Sequence, residues 1–492
     1  MWCSNVVRAP SHWVHPHKEI LKQKQNDELV GMNDLIDWAT ETGVTTEVGA
    51  RMVFEKLNVY FYLRCLYPNI PNDPTSVKLC QLNLHFIILG YIVDDKIEKY
   101  NEREIHELCR GFHELDQEAS KMFPQSPSIS EMKQSLTNVK NEFSKATLVM
   151  MMDYITKYAA LLLDHGVELT SQRVFNFRSR LSNAISIYFC ALRSKTESGS
   201  DVTEGEMLWR RCFDALALPI YMAQELFTKM AEMEEEPPLA VLNELYLLSI
   251  LYCIVINDLY SYSRDKFDDS DNVLKVWFQE NKVSNMREAG SQACQILNAI
   301  VQHMYILIER RKMEYPCAAE LFESIAYMTA GWIFIHNTVV PRYEQSPFQV
   351  VLEEVEESAL PKWLIQKNEY GHAVVREFIE TMKETNQKNI TYSLSGLVEE
   401  KSGLVEKKPG LVEEKSGMVE EKSGLVEEKS GLVEEKSGLV EEKSGLVEGK
   451  SGFVEEKSGL VEEKSGLVEE KSGLVEGKSG LVEETSGLVE EK

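Results

Sequence analysis

The apolar positions of residues 1 to about 390 recur with the period of an α-helix. Two segments show this most clearly, QLNLHFIILGYIV at 81–93 and VLNELYLLSILYCIVIND at 241–258. Both are apolar around most of the helix circumference, which is typical of helices inside a large bundle. Clusters of proline, glycine and asparagine interrupt the helical pattern at 67–76, 123–130, 194–206 and 232–240. The pattern predicts an all-α fold, a single large antiparallel helical bundle of ten or more helices.

The last hundred residues carry a different pattern. From 395 to 492 the unit KSGLVEE recurs in unbroken register, in fourteen copies. A seven-residue period suggests a coiled coil, but Leu and Val stand side by side and leave only a thin apolar seam. Each interior glycine also costs a helix about 1 kcal/mol. We therefore predict a folded body at 1–390 and a low-complexity, disordered repeat tail at 395–492.

Composition excludes some classes of partner. The formal net charge is −26 and the body shows no basic stripe, so nucleic acid is not an expected partner. The nine cysteines form no CxxC pair, which favours buried thiols in a reducing compartment. The N-terminus lacks the apolar region of a signal peptide, and no uninterrupted apolar run approaches the roughly 20 residues that span a bilayer. A cytoplasmic protein without a membrane span is expected.

Acidic residues end the first apolar helix, in the sequence DDKIE at 94–98. Asp94 and Glu98 are four residues apart and project from one face, whereas Asp95 lies about 100° around the helix. Two carboxylates at this spacing suit Mg²⁺ and a Mg²⁺–phosphate cluster. The alternative is a solvated end of the helix.

A second set of oxygen ligands follows the helix at 241–258. Asn257, Ser261 and Asp265 are spaced by four residues, so all three share one helix face over two turns. An amide oxygen, a hydroxyl and a carboxylate form a hard, oxygen-only site suited to Mg²⁺. The alternatives are a solvated face and a helix cap formed by Asn257.

Cationic side chains accompany these two sets. Arg211 lies in an otherwise apolar helix, Arg264 precedes Asp265, and Arg342 with Tyr343 follows another apolar segment. A guanidinium group suits phosphate oxygens, although each arginine taken alone also fits an exposed surface position.

Together these residues resemble the class I terpene synthases of the microbial type. The aspartate-rich motif of that family, DDxx(D/E), matches residues 94–98, and its second motif, NDxxSxxx(D/E), matches 257–265. The family has a diphosphate-sensing arginine about 46 residues before the second motif, and Arg211 stands there. Asp214 matches the linker aspartate, and Ala215 occupies the effector position, where glycine is frequent. Arg342 and Tyr343 match the closing Arg-Tyr pair, so the resemblance covers residues 90–343.

The resemblance implies an enzyme that ionises a linear prenyl diphosphate, farnesyl or geranylgeranyl, and cyclises the carbocation to a sesquiterpene or diterpene. It implies three Mg²⁺ ions, for which Mn²⁺ is a possible substitute, and a monomer or homodimer. The expected metal residues are Asp94, Asp95, Glu98, Asn257, Ser261 and Asp265. Among them, Asp95 is expected to support the ligands and not to contact the metal itself. The expected diphosphate-binding residues are Arg211, Arg264, Arg342 and Tyr343. Arg211, Asp214 and Ala215 are the expected catalytic set, and Tyr91 and Trp332 are candidates for the aromatic cavity wall.

Two other functions remain open at this point. A chain-elongating prenyl diphosphate synthase shares the all-α fold, but it uses a second aspartate-rich motif and a basic site for a second diphosphate. A non-catalytic scaffold would act through the repeat tail, and its body would not need intact motifs.

Deletion of residues 395–492 separates the enzyme from the scaffold. Because every motif lies in the body, the truncated chain is expected to retain Mg²⁺-dependent turnover of a prenyl diphosphate within about twofold of the full chain. Product formation by both chains under the same conditions is the measurement. A truncated body that folds but binds no prenyl diphosphate would contradict the enzyme hypothesis.

Overall fold

The computed structural model of the chain describes residues 5–21, 31–57, 59–68, 74–97, 99–164, 171–197, 204–228, 237–267, 271–338 and 346–383. The chain divides into two units, Met1–Asn386 and Gln387–Lys492, and all described residues belong to the first. The repeat tail at 395–492 lies outside the described residues, so its disorder stays a prediction.

Helices dominate the described secondary structure, and the predicted all-α class is confirmed. The helices are α1 Ser11–Leu21, α2 Met32–Thr42, α3 Glu47–Leu57, α4 Val59–Leu66, α5 Pro74–Ile97, α6 Glu102–Met122, α7 Ile129–Ser135, α8 Glu142–Asp164, α9 Ser171–Glu197, α10 Glu204–Asp214, α11 Leu218–Met222, α12 Gln224–Phe227, α13 Leu239–Asp265, α14 Val273–Gln279, α15 Met286–Glu314, α16 Ala319–Thr338, α17 Leu360–Leu364 and α18 at 369–383.

A short parallel sheet accompanies the helices. Strand β1, Asn5–Pro10, pairs with β2, Val350–Val355, with Asn5 opposite Val350. On α15, the Asn298 side chain accepts from the Arg8 backbone N–H at 2.8 Å and donates to the Val6 carbonyl at 3.0 Å. The hydrophobic pattern predicts no strand here, because the two partners lie more than 300 residues apart and no short turn connects them as in a hairpin.

The apolar interior is built around the long helices α5, α8 and α13. By length and composition all three could cross a membrane, although polar residues interrupt the apolar run of each. Their most apolar windows are 72%, 78% and 78% buried within the fold. Most of this apolar surface therefore serves as core, and neighbouring helices cover it.

Buried cysteines fit this core as small apolar residues. Burial raises the pKa of the Cys65 thiol and of the Cys294 thiol to about 12. Both thiols are protonated at neutral pH and are therefore poor nucleophiles.

A close approach of two backbones fixes α16 against α4. A Cβ atom at Gly331 on α16 would overlap the backbone carbonyl of Cys65 on α4, which cannot move aside as a side chain can. At Gly90 on α5, by contrast, a Cβ would meet only the Leu216 side chain, at an ordinary 3.6 Å.

Gly331→Ala is therefore expected to lower the free energy of unfolding by about 2 kcal/mol or more through overpacking. Gly90→Ala is the matched control, a helical glycine with space for the methyl group, and it is expected to be neutral or stabilising by up to about 1 kcal/mol. Urea unfolding followed by far-UV circular dichroism measures both. Equal stabilities of the two variants would contradict the close approach.

Candidate active site

One cavity is lined by residues of α4, α5, α10, α11, α13 and α16, of the junction between α10 and α11, and of the segment just before α14. Its apolar and aromatic lining includes Tyr62, Phe86, Ile87, Tyr91, Leu216, Ile220, Ile254, Trp332 and His336. Its polar lining includes Asp94, Arg211, Asn257, Arg264, Asp265 and Asp271.

The two kinds of lining are separated along the helices. On α5, Phe86, Gly90 and Asp94 follow at four-residue steps on one face, with the acid in the last turns. On α13, Ile254 likewise precedes Asn257 and Asp265. Both helices therefore contribute apolar surface first and oxygen ligands at their carboxyl ends.

The predicted ligand set of α13 lies on one face, as its spacing requires. Asn257 and Asp265 line the cavity, and Ser261 and Asp265 are buried. The Ser261 hydroxyl donates to Asp265 Oδ2, and Arg264 Nε donates to Asp265 Oδ1 at 2.7 Å. The Arg264 side chain is 46% exposed, so it stands between this carboxylate and solvent.

The aspartate-rich segment contributes one described acid to the cavity. Asp94 is half-buried and lines it, and the Tyr188 hydroxyl lies 3.4 Å from Asp94 Oδ1, a long hydrogen bond. Asp95 is exposed and is not among the lining residues. Glu98 lies outside the described residues, as do Arg342 and Tyr343, and their predicted roles stay predictions.

Arg211 forms a buried ionic junction at the cavity wall. Its Nη1 donates to Asp214 at 3.1 Å and its Nη2 donates to Asp258 at 2.8 Å. Burial opposes the charge of the guanidinium, but Asp214 and Asp258 together raise the pKa of Arg211 well above its ordinary value. Arg211 Nε is buried and has no hydrogen-bond partner among the described residues, and each Nη carries a second N–H, so three of the five donors are not used by these two bonds.

Asp258 connects this junction to α14. It is fully buried, and its Oδ2 accepts from the Val273 backbone N–H at 2.8 Å. Burial raises the pKa of Asp258, and Arg211 and the Val273 N–H partly offset that rise. No role for Asp258 follows from the sequence motif, although it is the second residue of that motif.

The chain is strained where α10 gives way to α11. Ala215 is exposed and lines the cavity, and the next residue, Leu216, has φ +50°. This left-handed conformation is costly for a bulky side chain and persists only where the surroundings impose it. The Leu216 side chain packs over Gly90 of α5, so the strained turn holds Ala215 at the cavity.

Aromatic rings form one wall of the apolar part. The Tyr62 ring meets Tyr91 and Trp332 edge-on, at centroid distances of 6.2 and 6.0 Å. The Tyr62 and Tyr91 hydroxyls are 2.6 Å apart, and Trp332 Nε1 donates to the Tyr221 hydroxyl at 2.6 Å. These bonds fix the rings of Tyr62, Tyr91 and Trp332, all three of which line the cavity.

His336 is a neutral part of the same wall. Burial lowers its pKa to about 4, despite a hydrogen bond to the Trp332 carbonyl at 2.8 Å. Only a protonated Nδ1 can donate to that carbonyl, so Nε2 carries no proton in the neutral ring. The four-residue step from Trp332 to His336 is a signal in the sequence, but it does not distinguish a cavity wall from ordinary core.

Asn272 is a buried residue of this region that no predicted motif contains. It is 1% exposed, and its amide nitrogen lies 2.9 Å from the Asp258 carbonyl, 3.1 Å from Asp265 Oδ2 and 3.3 Å from Ser261 Oγ. Its Oδ1 caps α14 by accepting from the Leu274 backbone N–H at 3.0 Å. An asparagine before an apolar helix signals such a cap, but not the other contacts.

The donor set of the cavity fits Mg²⁺. Among the described residues, no three His, Cys, Asp or Glu side chains come together as a metal site. The cavity is instead lined by the carboxylates of Asp94 and Asp265, from different helices, and by the amide of Asn257; the Ser261 hydroxyl is not among the lining residues but contacts Asp265. Such an all-oxygen set is the chemistry that Mg²⁺ prefers, and two carboxylates leave room for an anionic ligand to complete it.

No protein-family model matches the chain, and no curated protein matches it significantly. Among solved structures, the chain is similar to a variant of cucumene synthase at 15% identity, over 68% of this chain and 97% of that one, with a TM-score of 0.44. It is also similar to linalool/nerolidol synthase from Streptomyces clavuligerus at 12% identity, over 68% and 98% of the two chains, with a TM-score of 0.41. Both are terpene synthases, the family that the motifs resemble. At such identities and TM-scores the likeness carries no argument about function, which has to come from the residues of the cavity.

Asp258→Asn tests the buried junction. The variant keeps the shape of the side chain but leaves the buried Arg211 with less compensating charge. The free energy of unfolding is therefore expected to fall by about 3 kcal/mol. Glu353→Gln is the control, because its partner Arg8 and Glu353 itself are 43% and 47% exposed, and it is expected to cost less than about 1 kcal/mol. Chemical denaturation measures both, and a cost for Asp258→Asn no larger than that of the control would contradict the junction.

Proposed function

We propose that the chain is a Mg²⁺-dependent class I terpene synthase. It would ionise a linear prenyl diphosphate, farnesyl or geranylgeranyl, release diphosphate and cyclise the carbocation to a sesquiterpene or diterpene. The observation that carries this proposal is the division of one cavity between an aromatic part and a part lined with oxygen ligands and arginines. A prenyl diphosphate has the same two-part chemistry, an apolar chain and an anionic head.

Asp94 on α5 and Asn257, Ser261 and Asp265 on α13 would hold the Mg²⁺ ions, together with Glu98 if the resemblance extends to it. Bound Mg²⁺ would supply Lewis-acid neutralisation of the leaving diphosphate, a contribution of several kcal/mol.

Arginines of the chain would bind the diphosphate oxygens. Arg211 lines the cavity, and its guanidinium has N–H donors beyond those that bind Asp214 and Asp258, which can donate to a diphosphate oxygen. Its raised pKa keeps it cationic at every working pH. Arg264 lies at the edge of the ligand set of α13 and is exposed enough to turn towards a bound anion.

The apolar part would receive the prenyl chain and the cation. In the first step the allylic C–O bond breaks, and its electron pair leaves with diphosphate. The faces of Tyr62, Tyr91 and Trp332 would stabilise the resulting positive charge, and the apolar wall would keep out water that quenches it. In the last step a proton leaves carbon, and the retained diphosphate can accept it.

Chain elongation is less well supported. An elongating enzyme binds two diphosphates and needs cations for the second. Arg211 and Arg264 are the arginines among the described lining residues, and the cavity has no lysine there. Both arginines lie beside the carboxylates of one site, which fits a single diphosphate.

Incubation with geranyl, farnesyl and geranylgeranyl diphosphate, each with Mg²⁺ and with EDTA, tests the proposal. Gas chromatography with mass spectrometry should detect a cyclic terpene from farnesyl or geranylgeranyl diphosphate in the Mg²⁺ samples alone. Absence of product and of diphosphate release with all three substrates would contradict it.

Asp94→Ala and Asn257→Ala test the two sides of the metal site. Each removes a proposed ligand, so kcat/KM is expected to fall at least about 100-fold, since even residues that support a ligand can cost that much. Glu114→Ala, an exposed change on α6, is the control and should behave like wild type. Normal turnover by either ligand variant would remove that residue from the metal site.

A further inference from the structure

A buried asparagine outside every sequence motif contacts two of the proposed metal ligands. We propose that Asn272 is a positioning residue, whose amide group orients Ser261 and Asp265 for metal binding and ties them to the start of α14. This inference rests on the proposed function, because it concerns the metal ligands of that site.

The hydrogen bonds of Asn272 occupy lone pairs on two proposed ligands, Ser261 and Asp265. The Ser261 hydroxyl donates its one proton to Asp265 Oδ2 and accepts from Asn272, which leaves one lone pair on Ser261 Oγ. Asp265 Oδ2 accepts from Ser261 and Asn272, whereas Asp265 Oδ1 accepts from Arg264 alone among the described residues. The two N–H groups of the Asn272 amide serve three acceptors, the Asp258 carbonyl included, so one N–H is shared between two of them. The amide thus determines which lone pairs of both ligands are left for a cation.

Asn272 is buried at the start of α14, next to the end of α13. At 1% exposure the amide exchanges no hydrogen bonds with solvent, so its contacts are retained rather than averaged. Its carbonyl oxygen caps α14, and the next residue, Val273, donates to Asp258. Residues 272 and 273, at the start of α14, therefore contact both the ligand-bearing end of α13 and Asp258, the residue of α13 that binds Arg211. Metal ligands and the diphosphate-facing arginine are anchored on the same two residues.

Asn272→Asp separates the two roles of this side chain. Aspartate caps a helix as well as asparagine does, but it lacks the amide N–H donors that reach Ser261 and Asp265. Mg²⁺-dependent binding of inorganic diphosphate, followed by isothermal titration calorimetry, is expected to weaken about tenfold or more. The Mg²⁺ concentration for half-maximal turnover should rise likewise, and saturating Mg²⁺ should restore most of kcat. A residue needed only for folding would lower the folded fraction and leave the Mg²⁺ requirement unchanged.

Asn285→Asp is the matched control. Asn285 caps α15 through a bond from the Glu288 backbone N–H at 3.0 Å and lines no part of the cavity. It is expected to leave diphosphate binding and the Mg²⁺ requirement at wild-type values.

Asn272→Ser is the second variant, for the case that a further carboxylate beside Asp265 prevents folding. Serine also caps helices and retains one donor, so a folded protein with a Mg²⁺ requirement above that of wild type is expected. If the wild type binds diphosphate with Mg²⁺ and the folded Asn272 variant binds it equally well, the positioning role is wrong. If the wild type itself binds no diphosphate with Mg²⁺, the proposed function fails instead.

Discussion

The buried ion pair between Arg211 and Asp258 is the interaction on which the candidate site depends. Removing two charges from water is costly, and a buried pair repays that cost only when further hydrogen bonds complete it. Here Arg211 Nη1 donates a second hydrogen bond to Asp214, and the Val273 N–H donates to the other oxygen of Asp258. The pair thereby joins α10, α13 and α14 at one point. A hydrophobic substitute could pack there, but it would not present a cation to the cavity.

This junction explains how a mostly apolar bundle can hold a polar site. Helices α5 and α13 are buried over most of their length, and their oxygen ligands appear only in their last turns. The strained turn at Leu216 faces α5 from the end of α10, beside the same arginine. Polar groups are therefore concentrated where helices end, and the aromatic wall of Tyr62, Tyr91 and Trp332 stays free of charge.

Much of the helical fold, and part of the site, could be predicted from sequence. The helical periodicity that predicts the bundle also predicts which residues share a helix face. It therefore groups Asp94 with the cavity-lining residues of α5, and Asn257 with Asp265 on α13, without any information about tertiary contacts. The pairing of β1 with β2 could not be predicted, since it joins distant segments. Asn272, Tyr62 and Asp258 act through contacts between helices, and one sequence contains no signal for such contacts. Asp95 is exposed and off the cavity lining, which agrees with its position about 100° around the helix from Asp94, and its supporting role stays a prediction.

In the proposed function, the carboxyl ends of α5 and α13 together hold divalent metal and diphosphate. Anomalous diffraction from crystals grown with Mn²⁺ and inorganic diphosphate tests it most directly, because it locates the metal without reference to turnover. We expect Mn²⁺ coordinated by Asp94 on one side and by Asn257, Ser261 and Asp265 on the other, with diphosphate within reach of Arg211. Well-ordered Mn²⁺ bound elsewhere, with none of these four side chains as ligands, would contradict it.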